Sequence, residues 1–347
     1  MKTLLSSLAG LCLIASTAMA ETVLIHGEAG PNRGARAAAL QWFADEVNKR
    51  SEGDIKINIE WGGSLFKANA AMQSIGNGVS DLGSVIAVYY PKELAGYGIA
   101  DLPLDNPDAW VGMRATDELM RTNAAIQASF AEQNLVYIGT FTTSAVHIGC
   151  KDAAIRSVED IKGLKVRGVG AYGKTFKDFG ANLVPMSIYK AYQGLDSGLL
   201  DCSQGYSYAV TALKQQEVIS SYTLLNWGQV GGVGIFMNKD MFGSLSKAQQ
   251  DLILATGKDM ADEFGRLITT ANAKAVEAMK AAGIEVIELS GDERSKLVDK
   301  GAGYIGDWVN QANQLGIDGK TVLDEYRALI EKYSKQRDEK GYPWAAG

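Results

Sequence analysis

Residues 22–60, TVLIHGEAGPNRGARAAALQWFADEVNKRSEGDIKINIE, carry the pattern from which the fold is read. Thr22–His26 is a short β-rich run. Arg33–Lys49 is alanine-rich and amphipathic, with Leu40, Phe43 and Val47 on one face, and it stops near Gly53. Ile55, Ile57 and Ile59 then alternate on one strand face. Further on, Ala68–Ile75 reads as a helix and Asp81–Val88 as a buried strand. Strand, helix, strand, helix, strand predicts an α/β chain whose sheet is mainly parallel and covered on both faces. Ligands of such sheets sit in the loops at the carboxyl ends of the strands.

The pattern restarts past residue 135. Val136–Thr140, Ser144–Ile148, Lys165–Gly168 and Leu200–Ser203 read as strands. Ser157–Ile161, Tyr172–Phe179 and Ile188–Ser197 read as helices. Two sheet systems predict two lobes with a cleft between them. From Ser246 to Ala282 one helical stripe runs through Leu252, Met260, Phe264, Leu267, Ala271, Ala275 and Met279. Ser246 and Gln249 form a capping box at its start, and Gly283 is its stop. At 1.5 Å per residue this helix is about 54 Å long, enough to span both lobes. An interior glycine costs about 1 kcal/mol, so the alternative is two helices broken at Gly257. The predicted division is a leader over 1–20, a first lobe over 21–144 plus about 231–262, a second over 145–230 plus about 263–330, and a tail over 331–347.

The leader reading rests on Lys2, a short apolar stretch over residues 3–15, and Ala18-Met19-Ala20, which predicts cleavage after Ala20 and export. The stretch is well short of the ~20 residues a membrane helix needs. Cys12 does not suit a lipid anchor, because Leu11 precedes it where a small residue is wanted. Without Lys2 the formal charge moves from −6 to −7, which argues against nucleic acid and against anionic membrane surfaces. Cys150 and Cys202 remain as a candidate disulfide in an oxidising compartment, or as two buried apolar cysteines. Two histidines and no spaced cysteine–histidine cluster argue against structural zinc, and no motif asks for a cofactor. The glycines at 231, 232 and 234 follow a strand but lack the helix that a dinucleotide loop would open, and no nucleophile–base constellation stands out for an enzyme.

Three segments in order resemble a known family. They are Ser157-Val-Glu-Asp-Ile-Lys-Gly-Leu-Lys-Val-Arg167, Phe179-Gly-Ala-Asn-Leu-Val-Pro-Met186 and Ala191-Tyr-Gln-Gly-Leu-Asp-Ser-Gly-Leu-Leu-Asp201. The chain is similar there, and through the long helix, to the solute-binding proteins of tripartite ATP-independent periplasmic (TRAP) transporters. The resemblance implies a two-lobed periplasmic binding-protein fold that closes on ligand, a periplasmic location, and delivery to a small and a large membrane subunit driven by a sodium gradient.

It also implies that Arg167 pairs with a ligand carboxylate, a role suited to a planar guanidinium with two parallel donors. The competing reading is a surface arginine beside Lys162 and Lys165. His147 stands where sialic-acid-binding members carry a second arginine, and is either a neutral hydrogen-bonding anchor or a structural histidine. Glu28 stands where binders of zwitterions place an acid, or is a solvated loop residue. His26 reads as structural. Gly205 replaces an asparagine of the family, leaving Tyr206 or Ser207 to take its contact. Phe66 and Asn69 lie in a loop without the acids of sugar-acid binders. Of the aromatics near the predicted cleft loops, Trp61, Phe66, Tyr89, Tyr90, Tyr172, Tyr206 and Trp227, two or three are expected to touch ligand. The expected cargo is a small hydroxy, keto or aromatic monocarboxylate. The alternatives are a zwitterionic or amine-bearing solute facing Glu28, and a ligand sensor that docks a membrane receptor.

Overall fold

The structure is a computed structural model that describes residues 21–141 and 144–345. The expected leader over 1–20 lies outside the described residues. The chain begins β1 (Thr22–Gly27), α1 (Gly34–Arg50), β2 (Ile55–Glu60), α2 (Ala71–Gly76) and β3 (Leu82–Ile86), then α3 (Ala109–Thr122), α4 (Ala124–Glu132) and β4 (Leu135–Thr140). A second unit follows with β5 (Ala145–Cys150), β6 (Lys165–Arg167), α5 (Gly170–Asp178), β7 (Asn182–Val184), α6 (Ala191–Asp196), β8 (Cys202–Gly205) and α7 (Ser207–Ala212). The chain then runs β9 (Ser221–Gln229), β10 (Val233–Asn238), α8 (Lys239–Ser244), α9 (Lys247–Ala281), β11 (Glu285–Glu288), α10 (Gly291–Gln314) and α11 (Gly319–Lys340).

Two sheets organise two lobes. The first has the order β2-β1-β3-β10-β4, the second β11-β9-β5-β8-β6-β7. β1 pairs in parallel with both β2 and β3, as the strand–helix–strand pattern predicts. The sheets are nevertheless mixed. β10 runs antiparallel to β3 and β4, and β9 runs antiparallel to β5. The cause is the route of the chain: it leaves the first sheet through β4 into β5 and returns through β9 into β10, so each sheet pairs an outgoing strand with an incoming one. Those two crossings, between β4 and β5 and between β9 and β10, join the lobes.

α1 buries Leu40, Phe43, Ala44 and Val47. α9 is one unbroken helix, with Ser246 and Gln249 capping each other's backbone N–H. It packs on α1, α3 and β4 in the first lobe and on α7 and β11 in the second, so it spans both. Gly257 lies inside it because α9 presses on β4, where an added Cβ would sit 2.1 Å from the Ile138 carbonyl oxygen. Gly283, at φ +79°, ends the following turn.

The C-terminal segment departs from the expected tail. α11 continues to Lys340 and packs on α3, a helix of the first lobe rather than the second. Tyr326 Oη lies 3.0 Å from Thr116 Oγ1, and Tyr333 donates to Glu118 at 2.5 Å. Tyr342 and Trp344 stack on each other at 4.7 Å and meet Trp110 edge-on. Apolar residues at 322, 323, 326 and 333 bury this helix, which a polar composition concealed. Among the described residues no helix is long and apolar enough to cross a membrane, and no group of three or more metal-binding side chains occurs.

Cys150 and Cys202 are bonded across the β5–β8 pair, where they are register partners. On the loop-entropy model a closure of this span contributes about 4 kcal/mol. The closed loop contains β6, and with it Arg167.

Candidate functional site

Arg167 is the last residue of β6, and its side chain is buried rather than displayed beside Lys162 and Lys165. Two backbone carbonyls fix its guanidinium: Nε donates to Met186 O at 3.0 Å and Nη1 to Gln204 O at 2.9 Å. No carboxylate among the described residues pairs with it. It lines a cavity between the lobes with about 700 Å³ of empty space, open solvent at the mouth included.

The walls are mostly apolar. Ile86 and Val88 come from the end of β3, Val230 and Val233 from the return crossing, and Val169, Ile188 and Leu213 from the second lobe. Four tyrosines, Tyr89, Tyr189, Tyr206 and Tyr208, and Phe141 add aromatic surface. Tyr206 and Tyr208 are stacked with centroids 6.3 Å apart. Three hydrogen bonds join the lobes around the cavity. Ile188 N–H donates to Tyr89 Oη at 3.4 Å, Arg36 Nη1 donates to Tyr189 Oη, and Arg33 Nε donates to Ala212 O at 2.5 Å.

Of the residues singled out in the sequence, Arg167, Tyr89 and Tyr206 line this cavity. Glu28 does not line it. Its buried carboxylate accepts the Gly30 N–H at 2.6 Å and pairs with Arg36 at 2.9 Å, so it is neither a solvated loop acid nor a free counter-charge. His147 and Ser207 border a separate recess with Asn226 and Asn272. Burial lowers the His147 pKa to about 3, and its Nδ1 accepts the Asn226 N–H at 3.3 Å, which makes it a neutral packed residue. Ser207 Oγ lies 3.3 Å from Tyr222 Oη. His26 is likewise buried, its Nε2 3.3 Å from Ser84 Oγ, with its pKa lowered to about 3 by burial and then by Arg36.

Tyr172 and Trp227 belong to the join between lobes. Their rings meet edge-on at 4.8 Å, and Tyr172 Oη accepts the Gln229 N–H at 2.8 Å. Phe66 covers Gly27, where an added Cβ would sit 2.2 Å from its ring, and Asn69 is exposed. Tyr90 Oη donates to Ala68 O, tying its own loop, and Trp61 is half-buried.

Sequence reading missed Arg36, Tyr189, Tyr208 and Phe141. Arg36 lies in the first turn of α1 with its guanidinium carbon 5.2 Å from the Phe141 ring centroid and 5.5 Å from that of Tyr189. Its signal was present: position 36 falls on the stripe 36, 40, 43, 47, so it is a charge set on an otherwise apolar helix face.

Comparison with known proteins agrees with this architecture. The model of the bacterial extracellular solute-binding proteins, family 7, matches residues 27–309. A solute-binding protein of Albidiferax ferrireducens is 27% identical over 304 residues, 84% of this chain and 82% of that protein. A TRAP solute-binding protein from Rhodoferax ferrireducens, solved with copurified benzoate, superposes with a TM-score of 0.82 at 24% identity, covering 90% of this chain and 99% of that one. A marine metagenome TRAP solute-binding protein specific for aromatic acids, solved with metahydroxyphenylacetate, gives 0.81 at 25% identity with the same coverage.

Proposed function

The chain belongs to the bacterial extracellular solute-binding proteins of family 7, the periplasmic receptors of TRAP transporters, and we propose that this member captures a small monocarboxylate with an apolar or aromatic body. It hands that solute to the transporter's small and large membrane subunits after export and removal of residues 1–20. The observation that carries the reading is Arg167, a buried guanidinium with no acidic partner among the described residues, set in a mostly apolar cavity between two lobes. A planar guanidinium held by two carbonyls is already oriented for the paired hydrogen bonds of a carboxylate. The aromatic acids bound by the two structural relatives fit walls of this kind. A zwitterionic or amine-bearing cargo has less support, because the Glu28 carboxylate is already engaged by Arg36 and Gly30.

The test is thermal unfolding with a panel of hydroxy, keto and aromatic acids, followed by titration of whichever acid raises Tm. Arg167→Ala is expected to lower affinity by about two to four decades, corresponding to roughly 3–5 kcal/mol for stranding a buried anion. Arg167→Lys keeps the charge but not the two-pronged geometry, and is expected to fall between. A panel with no stabilising acid, together with unaltered behaviour of Arg167→Ala, overturns the reading.

A further inference from the structure

Two guanidiniums reach the inner wall of the cavity, one from each lobe, and they differ in how their charge is balanced. Arg167 has no carboxylate partner among the described residues, whereas Arg36 is held by the buried Glu28 at 2.9 Å. Arg33, the remaining arginine of the lining, is exposed. One Nη of Arg36 is taken by Glu28 and the other by Tyr189 across the cleft, while its Nε is buried without a hydrogen-bond partner. The lining therefore carries one uncompensated positive charge, at Arg167, and one electrically neutralised guanidinium, Arg36, whose buried Nε is an unpaired donor.

We propose that Glu28, by cancelling Arg36, makes this site select a monoanion that carries a neutral oxygen acceptor, such as a hydroxyl or keto group, over a dianion. A monoanion on Arg167 leaves the enclosed charges balanced. A dianion leaves one negative charge in excess, and an uncompensated charge in a dry cavity is expensive. The neutral oxygen accepts from Arg36 Nε. This proposal rests on the carboxylate reading above and adds the rule by which the site sorts carboxylates.

Calorimetric titration of the full chain with benzoate, 3-hydroxybenzoate and isophthalate tests it in the wild type, Glu28→Gln and the Glu28→Gln/Arg36→Met double variant, each checked for native circular dichroism. Wild type is expected to bind 3-hydroxybenzoate more tightly than benzoate, and isophthalate far more weakly. Glu28→Gln frees the charge of Arg36 and is expected to raise the isophthalate-to-benzoate affinity ratio about tenfold or more, about 1.4 kcal/mol. The double variant is expected to lose that gain and the preference for the hydroxyl. If Glu28→Gln does not fold, the double variant decides through the hydroxyl preference alone: its loss supports the assignment and its retention overturns it. An unchanged ratio in Glu28→Gln, with benzoate still bound, overturns this proposal and leaves the carboxylate reading standing. Failure of the wild type to bind any of the three, with no stabilising acid in the wider panel and unaltered behaviour of Arg167→Ala, overturns both.

Discussion

Asp101 touches the backbone that returns from one lobe to the other: its Oδ1 accepts the Gly232 N–H at 2.7 Å. Burial pushes its pKa up to about 7, against the pull of the Gly232 and Gly231 N–H groups. Between about pH 4 and 7 the folded chain thus holds a proton there that the unfolded chain has lost, so this contribution to stability falls as pH rises through that window. His26 and His147 act with the opposite sign. With pKa lowered to about 3 by burial, they stay neutral where the unfolded chain protonates, and their contribution is lost as pH falls from about 6.5. The two histidines thus make acidification below about pH 6.5 destabilising, and Asp101 opposes them. Asp101→Asn removes the opposing proton, so its urea unfolding is expected to show a steeper loss of stability on acidification than wild type and a relative gain in stability at pH 8 over pH 5. A difference from wild type that is flat across pH would show that Asp101 does not titrate as described. The residue scale also marks where sequence stopped being informative about the site. Arg167 was legible because a motif surrounds it, and Glu28 was legible as a position but not as a role. Its partner Arg36 is eight residues away on a helix, and only the fold turns Glu28 from a ligand group into the group that neutralises one. His147 misled for the mirror reason: a motif position fixes a place along a strand but not which cavity that place borders.

α9 depends on Gly257 in a way that reverses the usual expectation for a helix interior. Alanine there should gain about 1 kcal/mol in helix propensity. An added Cβ, however, would sit 2.1 Å from the Ile138 carbonyl oxygen, a backbone atom of β4 that cannot swing aside. Overpacking of this kind costs roughly 1–3 kcal/mol, so Gly257→Ala is expected to destabilise. Gly303 in α10 is the matched control, because an added Cβ there meets no atom within 4 Å. Gly303→Ala is expected to stabilise by up to about 1 kcal/mol. Denaturant midpoints of the two variants should move in opposite directions, and a shared direction would mean that the α9–β4 contact is looser than described. Elements of this sort were legible wherever local pattern and burial agreed: β1, α1, β2 and the full length of α9 follow from periodicity and caps. The antiparallel placement of β9 and β10 was not, because strand direction within a sheet is set by where the chain has come from. A run of apolar residues reads alike in either direction.

At the scale of the molecule the chain crosses between the lobes and then, through α9, α10 and α11, returns to seal the first. The last turns of α11 and the segment after it cover Trp110, whose Nε1 donates to Asp262 of α9 at 2.7 Å. Arg337 and Tyr342 each donate to Asp108 Oδ2 at 2.8 Å, and Asp108 also caps α3 by accepting the Val111 N–H. Deleting residues 331–347 therefore uncovers a large buried ring, removes buried Tyr333 and loosens a helix cap together. Each large apolar side chain is worth about 1.5–3 kcal/mol when fully buried, so the loss should reach several kcal/mol. At roughly 2 °C per kcal/mol for a chain of this size, Tm is expected to fall by on the order of 10 °C. None of the described residues in the deleted segment lines the cavity that holds Arg167. Affinity for whatever acid the intact protein binds should therefore be unchanged at a temperature where both forms are folded. A deletion that leaves Tm untouched would restore the reading of this segment as a free tail. A deletion that weakens binding without lowering Tm would instead tie the segment to lobe closure.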